Sequence, residues 1–387
     1  MTVPYWQDQS PEHTPVNADV VVVGAGISGA SVAWWLKDSG LDVVVVDRGD
    51  VCAGASGRNA GFVTCGSVEH FSRQVRTHGE AMALGLWRLS QDNLDLIEHH
   101  LVGDGLACDF RRRGTYSLAG GDHELTELAQ TAEQLVGHGV RVEMVDEAHV
   151  ARHLGARHFP GGALYLDDGE VHPVKLVRGI LERSGARVFT HHEVHRVAET
   201  QDGVTVHTHR RTFHAGALVL ATNGYSADLH PWFADKIYPT RGQIMVTAPV
   251  APFLAAPCYA NFVLDYFRQL ADGRVLIGGF RQLAKDTEVG TADVVHPDIQ
   301  RALEDFLRHH FPALAATPIE YRWSGTMGFS ADSLPIIGAL PGRTSLYLLG
   351  GYTGHGIGWG FKAGQLLADL ILHGEQPPWV SARRFGG

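Results

Sequence analysis

A glycine-rich motif near the start of the chain has residue types and spacing that point to definite chemistry. Gly24, Gly26 and Gly29 have the Gly-x-Gly-x-x-Gly spacing and follow a run of four valines. The first glycine permits a tight turn, the second has no Cβ to keep a pyrophosphate off the backbone, and the third lets a helix lie close on the strand. Because free N–H groups and the positive dipole end lie at a helix N-terminus, the motif predicts a phosphate-binding turn.

A carboxylate roughly twenty residues further on fits the same interpretation. Asp47 ends a second apolar strand, predicted over residues 43–46. A carboxylate at this place accepts hydrogen bonds from a ribose diol. Strand, glycine turn, helix and second strand therefore predict a βαβ unit that binds an adenine dinucleotide; an ordinary glycine turn with an incidental aspartate is the alternative.

Composition limits the class of protein. The 387 residues, 44% of them hydrophobic and 19% charged, are enough for two domains of a globular enzyme. A net charge of −10 argues against a nucleic-acid partner, because binding phosphates needs a basic surface. The four cysteines form no Cys-x-x-Cys pair, the histidines lack a ligand spacing completed by a carboxylate or cysteine, and no apolar run approaches the roughly twenty residues of a membrane span. We therefore expect a cytoplasmic protein without a metal site.

The remaining elements predict a discontinuous arrangement. Residues 217–220 and 346–350 are predicted buried strands that end in glycine turns, and the second turn leads into a helix. Residues 238–247, 262–269 and 274–279 are predicted strands of a different, antiparallel sheet. The predicted fold class is α/β, α+β overall. One domain is expected over residues 1–85, 168–228 and 324–387, and an inserted domain over residues 86–167 and 229–323.

Five stretches in order resemble a known family. They are VVVGAGISGASVAWWLKDSGLDVVVVDR, GASGRNAGF, LVLATNG, PTRGQI and GGYTGHGIGWGFKAG. Together they resemble the FAD-dependent amine and amino-acid oxidases, the group of D-amino-acid oxidase, glycine oxidase and sarcosine oxidase. SGRNAGF and LDYFRQLADGRVLIGG are most similar to the γ-glutamylputrescine oxidase branch. The resemblance implies a Rossmann-like flavin domain of the glutathione-reductase type, with a substrate domain whose antiparallel sheet roofs the flavin.

The resemblance implies FAD as the cofactor. The final helix, from about Gly356, would aim its first N–H groups at the pyrimidine end of the flavin, where a positive dipole favours the reduced state. Residues 54–62 would run beside the ring, Val194 would bind adenine through its backbone, and residues 222–224 would line the phosphate crevice. The expected cofactor-binding residues are Gly24, Gly26, Ile27, Ser28, Gly29, Asp47, Arg48, Ala55, Ser56, Arg58, Asn59, Ala60, Gly61, Phe62, Val194, Thr222, Asn223, Gly224, Arg241, Gly325, Gly354, His355, Gly356 and Ile357.

The sequence departs from the family pattern at several positions. In relatives that bind flavin covalently, a cysteine linker would fall near Gly325 and a histidine linker near Asn59. The sequence has neither linker at these positions, so FAD is predicted to be non-covalent. Gly358 stands where sarcosine oxidase has a lysine that helps hold the substrate carboxylate, which argues against a small α-amino acid. Leu276 stands near a lysine position tied to oxygen activation, which weakens the expectation that O2 is the physiological acceptor.

The implied chemistry is oxidation of a C–N bond. A primary or secondary amine or amino acid would lose a hydride from the carbon next to nitrogen to flavin N5, the imine would hydrolyse, and O2 would be reduced to H2O2. The alternatives are an FAD dehydrogenase that passes electrons to a quinone or carrier protein, an NAD-dependent dehydrogenase with the same glycine motif, and a non-catalytic flavoprotein subunit. The partners expected are a small-molecule amine and O2.

Three residues are expected to be catalytic. Tyr266 and Arg268 are two apart on a predicted strand and therefore share a face. Arg268 would bind a substrate carboxylate and Tyr266 would pack on or hydrogen-bond the amine; the alternative is a satisfied surface arginine and a core tyrosine. His355, flanked by glycines at a helix N-terminus, is expected to be neutral and to orient flavin or substrate, or to fill the turn. Arg241 is expected to be structural or to lie beside the flavin, and Arg58 to approach the flavin or an anionic substrate.

Overall fold

A computed structural model of the chain describes residues 14–200 and 203–386. The sequence predicts a loosely ordered lead-in over residues 1–18; residues 1–13 lie outside the described range, and residues 16–18 already belong to the first strand. The strands are β1 (Val16–Val23), β2 (Val43–Val46), β3 (Phe62–Val63), β4 (Thr115–Leu118), β5 (Val142–Asp146), β6 (Gly161–Tyr165), β7 (Gly169–Glu170), β8 (Arg187–Phe189), β9 (Val194–Thr200), β10 (Gly203–Thr208), β11 (Thr212–Leu220), β12 (Ile237–Thr247), β13 (Cys258–Ala260), β14 (Asp265–Gln269), β15 (Val275–Gly279), β16 (Ile319–Ser330), β17 (Ile336–Ala339) and β18 (Leu346–Gly350). The helices are α1 (Ile27–Leu36), α2 (Phe71–His78), α3 (Glu80–Ile97), α4 (Asp122–Gly137), α5 (Glu147–Leu154), α6 (Pro173–Ser184), α7 (Pro297–His310) and α8 (Gly356–His373).

The chain divides into two compact units, each made of separate stretches. Unit 1 comprises Met1–Gly57, Val174–Pro239 and Met327–Gly387, and unit 2 comprises Arg58–Pro173 and Thr240–Thr326. The first segment of this domain is predicted to end at residue 85, whereas the first stretch of unit 1 ends at Gly57. The difference arises because α2 and α3 bury Phe71 and Trp87 in one cluster with Leu135 of α4, which lies in unit 2.

Unit 1 is built on a largely parallel sheet in the order β17-β18-β11-β1-β2-β8, from which β10 and β9 continue as antiparallel strands. β1 pairs in parallel with β2 on one side and β11 on the other. Val21 and Val22 are fully buried there, as expected for the centre of such a sheet. The helices α1 and α8 pack closely: a Cβ added at Gly364 of α8 would lie only 2.4 Å from Cβ of Ser31 in α1.

Unit 2 contains a second sheet in the order β16-β12-β15-β14-β13-β4-β6-β5. The described ladders are antiparallel except between β13 and β4, which run parallel. No hairpin joins these two strands, so their connection permits the parallel direction. Side chains alternate between the two faces of the sheet. One face, with Met245, Phe267 and Ile277, packs in a cluster with α7. The other face carries Ile244 and Leu276 in a separate cluster.

One predicted strand is shorter in the structure. The strand expected over residues 262–269 begins at Asp265. Asn261, Phe262 and Val263 have φ angles of 50°, 56° and 69°, which place them in the left-handed region. A β-strand requires negative φ, so these three residues form the turn before β14 instead.

Three properties bear on the expected class of protein. Within residues 14–200 and 203–386, no helix is both long and apolar enough to cross a lipid bilayer. The same ranges contain no group of three or more metal-ligating side chains placed to hold an ion. All four cysteines are buried, and none of them forms a disulfide in the described part of the chain.

Candidate active site

The first glycine turn of unit 1 is as tight as its sequence predicts. Gly24 has a φ of +114°, a conformation that side chains rarely adopt. A Cβ at Gly29 would lie 1.8 Å from the carbonyl oxygen of Gly24, so α1 approaches β1 as closely as backbone atoms allow. The motif therefore fixes the N-terminus of α1 directly above the end of β1.

The N-terminus of α1 has the features of an anion site. Gly26 is the N-cap and has no side chain with which to cap the helix, and the first turn contains no acidic residue. Ser56 places its hydroxyl there and accepts a hydrogen bond from the Ile27 N–H at 2.9 Å. A Cβ at Gly26 would lie 2.8 Å from this hydroxyl and would fill the space beside the helix end. The donors and the space fit a pyrophosphate.

Asp47 connects the end of β2 with the glycine turn. Its carboxylate accepts hydrogen bonds from the N–H of Ala25 at 2.7 Å and of Gly49 at 2.8 Å. An ionised carboxylate has about four acceptor positions, so these two bonds leave capacity for a ribose hydroxyl. The neighbouring Arg48 lies over the ring of Tyr225, 4.0 Å from its centroid.

Two further turns of unit 1 meet the first one. The hydroxyl of Tyr352, in the last glycine-rich turn, lies 3.0 Å from the hydroxyl of Ser28 in α1. Asn223 accepts a hydrogen bond from the Gly351 N–H at 3.0 Å through its side-chain oxygen, joining the turn after β11 to the turn after β18. Residues that are 324 positions apart in the sequence thus share one edge of the parallel sheet.

The remaining predicted residues of unit 1 lie around these turns. His355 is the N-cap of α8, is 6% exposed, and packs its ring 4.8 Å from that of Trp359. Gly356 and Ile357 begin α8. Val194 is buried at the start of β9, on the antiparallel extension of the sheet. The other predicted cofactor residues of unit 1 are Ala55 in a short 3-10 turn, Thr222 and Gly224 after β11, and Gly354 before α8.

In unit 2, the predicted flavin-side segment 58–62 is tied down by several contacts. The Asn59 side-chain oxygen accepts a hydrogen bond from the Gly61 N–H at 2.7 Å. The Trp323 indole N–H donates to the Arg58 carbonyl at 3.1 Å. The Arg58 guanidinium donates to the Ser324 carbonyl at 2.8 Å and pairs with Asp293 at 2.8 Å. Gly325 also lies here, since a Cβ at that glycine would be 3.1 Å from Cβ of Arg58.

An aromatic cluster of unit 2 adjoins this segment. Phe62 packs edge-on against Tyr259 and Tyr266, with ring centroids 5.0 and 6.1 Å apart. Ala60 and Leu276 belong to the same cluster. Burial raises the pKa of both tyrosine hydroxyls above the ordinary value, so these phenols stay neutral at physiological pH. The face of the sheet that carries Tyr266 is therefore aromatic and apolar, with neutral hydroxyl groups.

The guanidinium groups of two predicted site residues are engaged within unit 2. Arg268 is 7% exposed and donates hydrogen bonds to the carbonyls of Gly61 and Val171, at 3.2 and 3.0 Å. Its charge is balanced by Glu170, 3.3 Å away. Arg241, also 7% exposed, pairs with the buried Glu288 and donates to backbone carbonyls of residues 287–292. Both arginines thus hold backbone segments in place.

Sequence reasoning missed several residues that shape these surroundings. Glu170 carries no motif, and only the acidic run before His172 singles out its neighbourhood. Tyr259 lies on the short strand β13, which the sequence analysis did not predict. Tyr352 lies inside a quoted motif, but its contact with Ser28 depends on the tertiary fold.

Comparison with known proteins gives the same family as the motifs. The DAO family of FAD-dependent oxidoreductases matches residues 19–370. γ-Glutamylputrescine oxidoreductase from Escherichia coli strain K12 is 29% identical over 373 residues, which cover 92% of this chain and 84% of the relative. The probable oxidoreductase OrdL from Haemophilus influenzae is 27% identical over 378 residues, covering 93% of this chain and 84% of the relative.

Solved structures share the fold. Glycine oxidase from Geobacillus kaustophilus superposes with a TM-score of 0.83 and 22% identity, over 96% of this chain and 100% of that one. L-proline dehydrogenase from P. horikoshii superposes with a TM-score of 0.82 and 19% identity, over 96% of this chain and 98% of that one. The predicted fold class and the resemblance to flavin-dependent oxidases are therefore confirmed. This chain belongs to the DAO family of FAD-dependent oxidoreductases.

Proposed function

We propose that this FAD-dependent oxidoreductase is an amine oxidase, which removes two electrons from the C–N bond of a primary or secondary amine or amino acid. The observation that carries the proposal is the meeting of three glycine-rich turns at one sheet edge in unit 1, through the Ser28–Tyr352 and Asn223–Gly351 contacts. Bound FAD supplies a hydride acceptor at N5, and hydrolysis of the imine yields the carbonyl product.

Unit 1 supplies the groups that would hold the cofactor. The N-terminus of α1 and Ser56 would bind the pyrophosphate, and the Asp47 carboxylate would bind the ribose. The N-terminus of α8, after His355, would place positive dipole character at the pyrimidine end of the flavin. Because the sequence has no linking residue at the expected positions, we propose that FAD is held without a covalent bond. Acid precipitation tests this, since a covalent flavin would remain in the protein pellet.

Unit 2 supplies the groups that would bind the amine. Tyr266 packs in one apolar cluster with Phe62 and Leu276, and its neutral phenol would hydrogen-bond or pack on the amine. The relative named γ-glutamylputrescine oxidoreductase and the structural neighbours named glycine oxidase and L-proline dehydrogenase suggest the panel of candidates. We propose an amine whose reacting carbon carries no carboxylate, because Arg268 and Arg241 are both engaged by carboxylates and carbonyls of unit 2.

The electron acceptor admits two proposals. O2 reduced to H2O2 makes the protein an oxidase. A quinone or carrier protein as acceptor makes it a dehydrogenase, and one observation favours this second candidate: Leu276, where related enzymes carry a lysine tied to oxygen activation, is 5% exposed in an apolar cluster. Oxygen uptake with an equal amount of peroxide would establish the oxidase. Turnover only with an artificial dye would establish the dehydrogenase.

The direct test of the proposed activity is anaerobic reduction of the bound flavin. The holoenzyme is mixed with glycine, sarcosine, D-amino acids, L-proline, polyamines and γ-glutamylated diamines in turn, and the flavin absorbance is followed. We expect at least one amine to bleach the flavin, and a carboxylate-free or γ-glutamylated amine to do so at lower concentration than glycine. A flavin that no amine reduces would overturn the proposal in favour of a non-catalytic flavoprotein.

A further inference from the structure

A buried arginine is one of the residues that join the segment of unit 2 containing Gly61 to the large sheet. Residues 62 and 63 form β3, which pairs with β7 in a two-stranded sheet, with Phe62 opposite Glu170. Arg268 lies on β14 of the eight-stranded sheet. Its guanidinium donates hydrogen bonds to the carbonyl of Gly61, directly before β3, and to the carbonyl of Val171, directly after β7. The guanidinium therefore connects the two-stranded sheet with the eight-stranded one.

The contacts at Gly61 leave little freedom for this segment. Its carbonyl oxygen accepts two hydrogen bonds, one from the Val171 N–H at 2.8 Å and one from Arg268. Gly61 has a φ of +73°, and a Cβ there would lie 2.2 Å from the Val171 oxygen and 3.1 Å from Nη2 of Arg268. The backbone at Gly61 is thus fitted around the guanidinium.

The charge of Arg268 is balanced by a buried carboxylate, which contacts the same nitrogen as the Gly61 carbonyl. Glu170 is buried and lies 3.3 Å from Nη1 of Arg268. The same carboxylate pairs with Arg113 at 2.7 Å through its other oxygen. Breaking a buried ion pair on one side is costly, because the remaining charge loses its partner. A carboxylate that bound Nη1 of Arg268 would have to displace Glu170 or the Gly61 carbonyl, whereas the buried Nε of Arg268 has no hydrogen-bond partner among the described residues.

We propose that Arg268 is a positioning residue that fixes the backbone of residues 59–62 against the flavin, and that it does not bind the substrate carboxylate. The inference rests on the proposed function and on the family resemblance, which implies that residues 54–62 run beside the flavin ring. Glu170 is then a positioning residue that acts through Arg268, because it orients the guanidinium and is not among the groups assigned to cofactor or substrate. Changes at either residue are therefore expected to alter the flavin before they alter substrate binding.

Three variants separate this role from carboxylate binding. Arg268→Met removes the guanidinium, Glu170→Gln removes only the compensating charge, and Arg113→Met is the matched control, because Arg113 contacts Glu170 but neither carbonyl. For each variant we would measure the FAD dissociation constant, the visible spectrum of the bound flavin, the KM of the best amine, and the inhibition constant of acetate as a free carboxylate.

We expect R268M to weaken FAD binding by about tenfold or more, as loss of charged hydrogen bonds implies, and to shift the flavin spectrum. E170Q should shift the spectrum in the same direction, and R113M should stay within about twofold of the wild type. Acetate inhibition should be unaffected in all three variants. If R268M does not fold, the FAD affinity and flavin spectrum of E170Q still test the positioning role.

Two results would overturn the inference. The first is an R268M protein, or an E170Q protein, with unchanged FAD affinity and spectrum. The second is a loss of acetate inhibition in R268M, with a raised KM only for carboxylate-bearing amines. A wild-type protein that binds FAD but is reduced by no amine would overturn the proposed function alone. A wild-type protein that binds no FAD would overturn both.

Discussion

Substitution of Gly29 by alanine tests how closely α1 must lie on β1. The added Cβ would be 1.8 Å from the Gly24 carbonyl oxygen, whereas carbon and oxygen atoms in contact are about 3.3 Å apart. The helix end or the turn must therefore move by roughly 1.5 Å, and both partners are backbone. Overpacking of this kind costs about 1–3 kcal/mol, and a backbone clash lies at the upper end. We expect G29A to lose about 3 kcal/mol of unfolding free energy and most of its affinity for FAD.

The assay combines urea unfolding of the apoprotein with an FAD titration. The control is Gly137→Ala in α4, where a Cβ would meet no atom within 4 Å and the residue is helical. This control should be neutral or more stable by about 0.5–1 kcal/mol, because alanine favours a helix over glycine. A G29A protein with wild-type stability and wild-type FAD affinity would refute the account of the glycine turn.

Three further predictions concern single side chains. Burial raises the pKa of Asp168, which accepts a hydrogen bond from the Cys65 N–H, from the ordinary 3.8 to about 7. The native protein therefore retains a proton that the unfolded chain releases, so stability should fall as pH rises from about 4 to about 7, and D168N should flatten this slope in the melting temperature. Asn223→Ala removes the acceptor of the Gly351 N–H and should cost about 1–3 kcal/mol in urea unfolding while weakening FAD binding. Tyr266→Phe should keep FAD affinity within about twofold and raise the KM for amines; an unchanged KM would exclude a hydrogen bond from its phenol to the substrate.

Local patterns were sufficient for the elements that carry the glycine motif. Four valines before Gly24 predict a strand buried on both faces, and the structure places β1 between β2 and β11. The spacing of Gly24 and Gly29 predicts the close approach of α1 to β1. Both the tight turn at Gly24 and the close contact at Gly29 depend on residues that are near each other in the sequence. The motif near the end of the chain likewise predicts β18, a turn and α8.

Long-range partners were not predictable in the same way. Arg268 and Tyr266 share a face as their spacing predicts, but Glu170, which balances the charge of Arg268, is 98 positions away in the sequence. Nothing local distinguishes an arginine that binds a ligand from one that binds a distant carboxylate. The turn at Phe262 was predicted as strand because its side-chain types favour a strand, whereas positive φ angles are set by the contacts of the folded protein.

The central claim is that the turns brought together in unit 1 form one FAD site. The most direct measurement is the equilibrium titration of the apoprotein with FAD, followed by flavin fluorescence, in the wild type and in G29A. We expect saturable binding of one FAD per chain by the wild type and a large loss of affinity in G29A. A wild-type protein that takes up no FAD, or a G29A protein that binds it equally well, would contradict the claim.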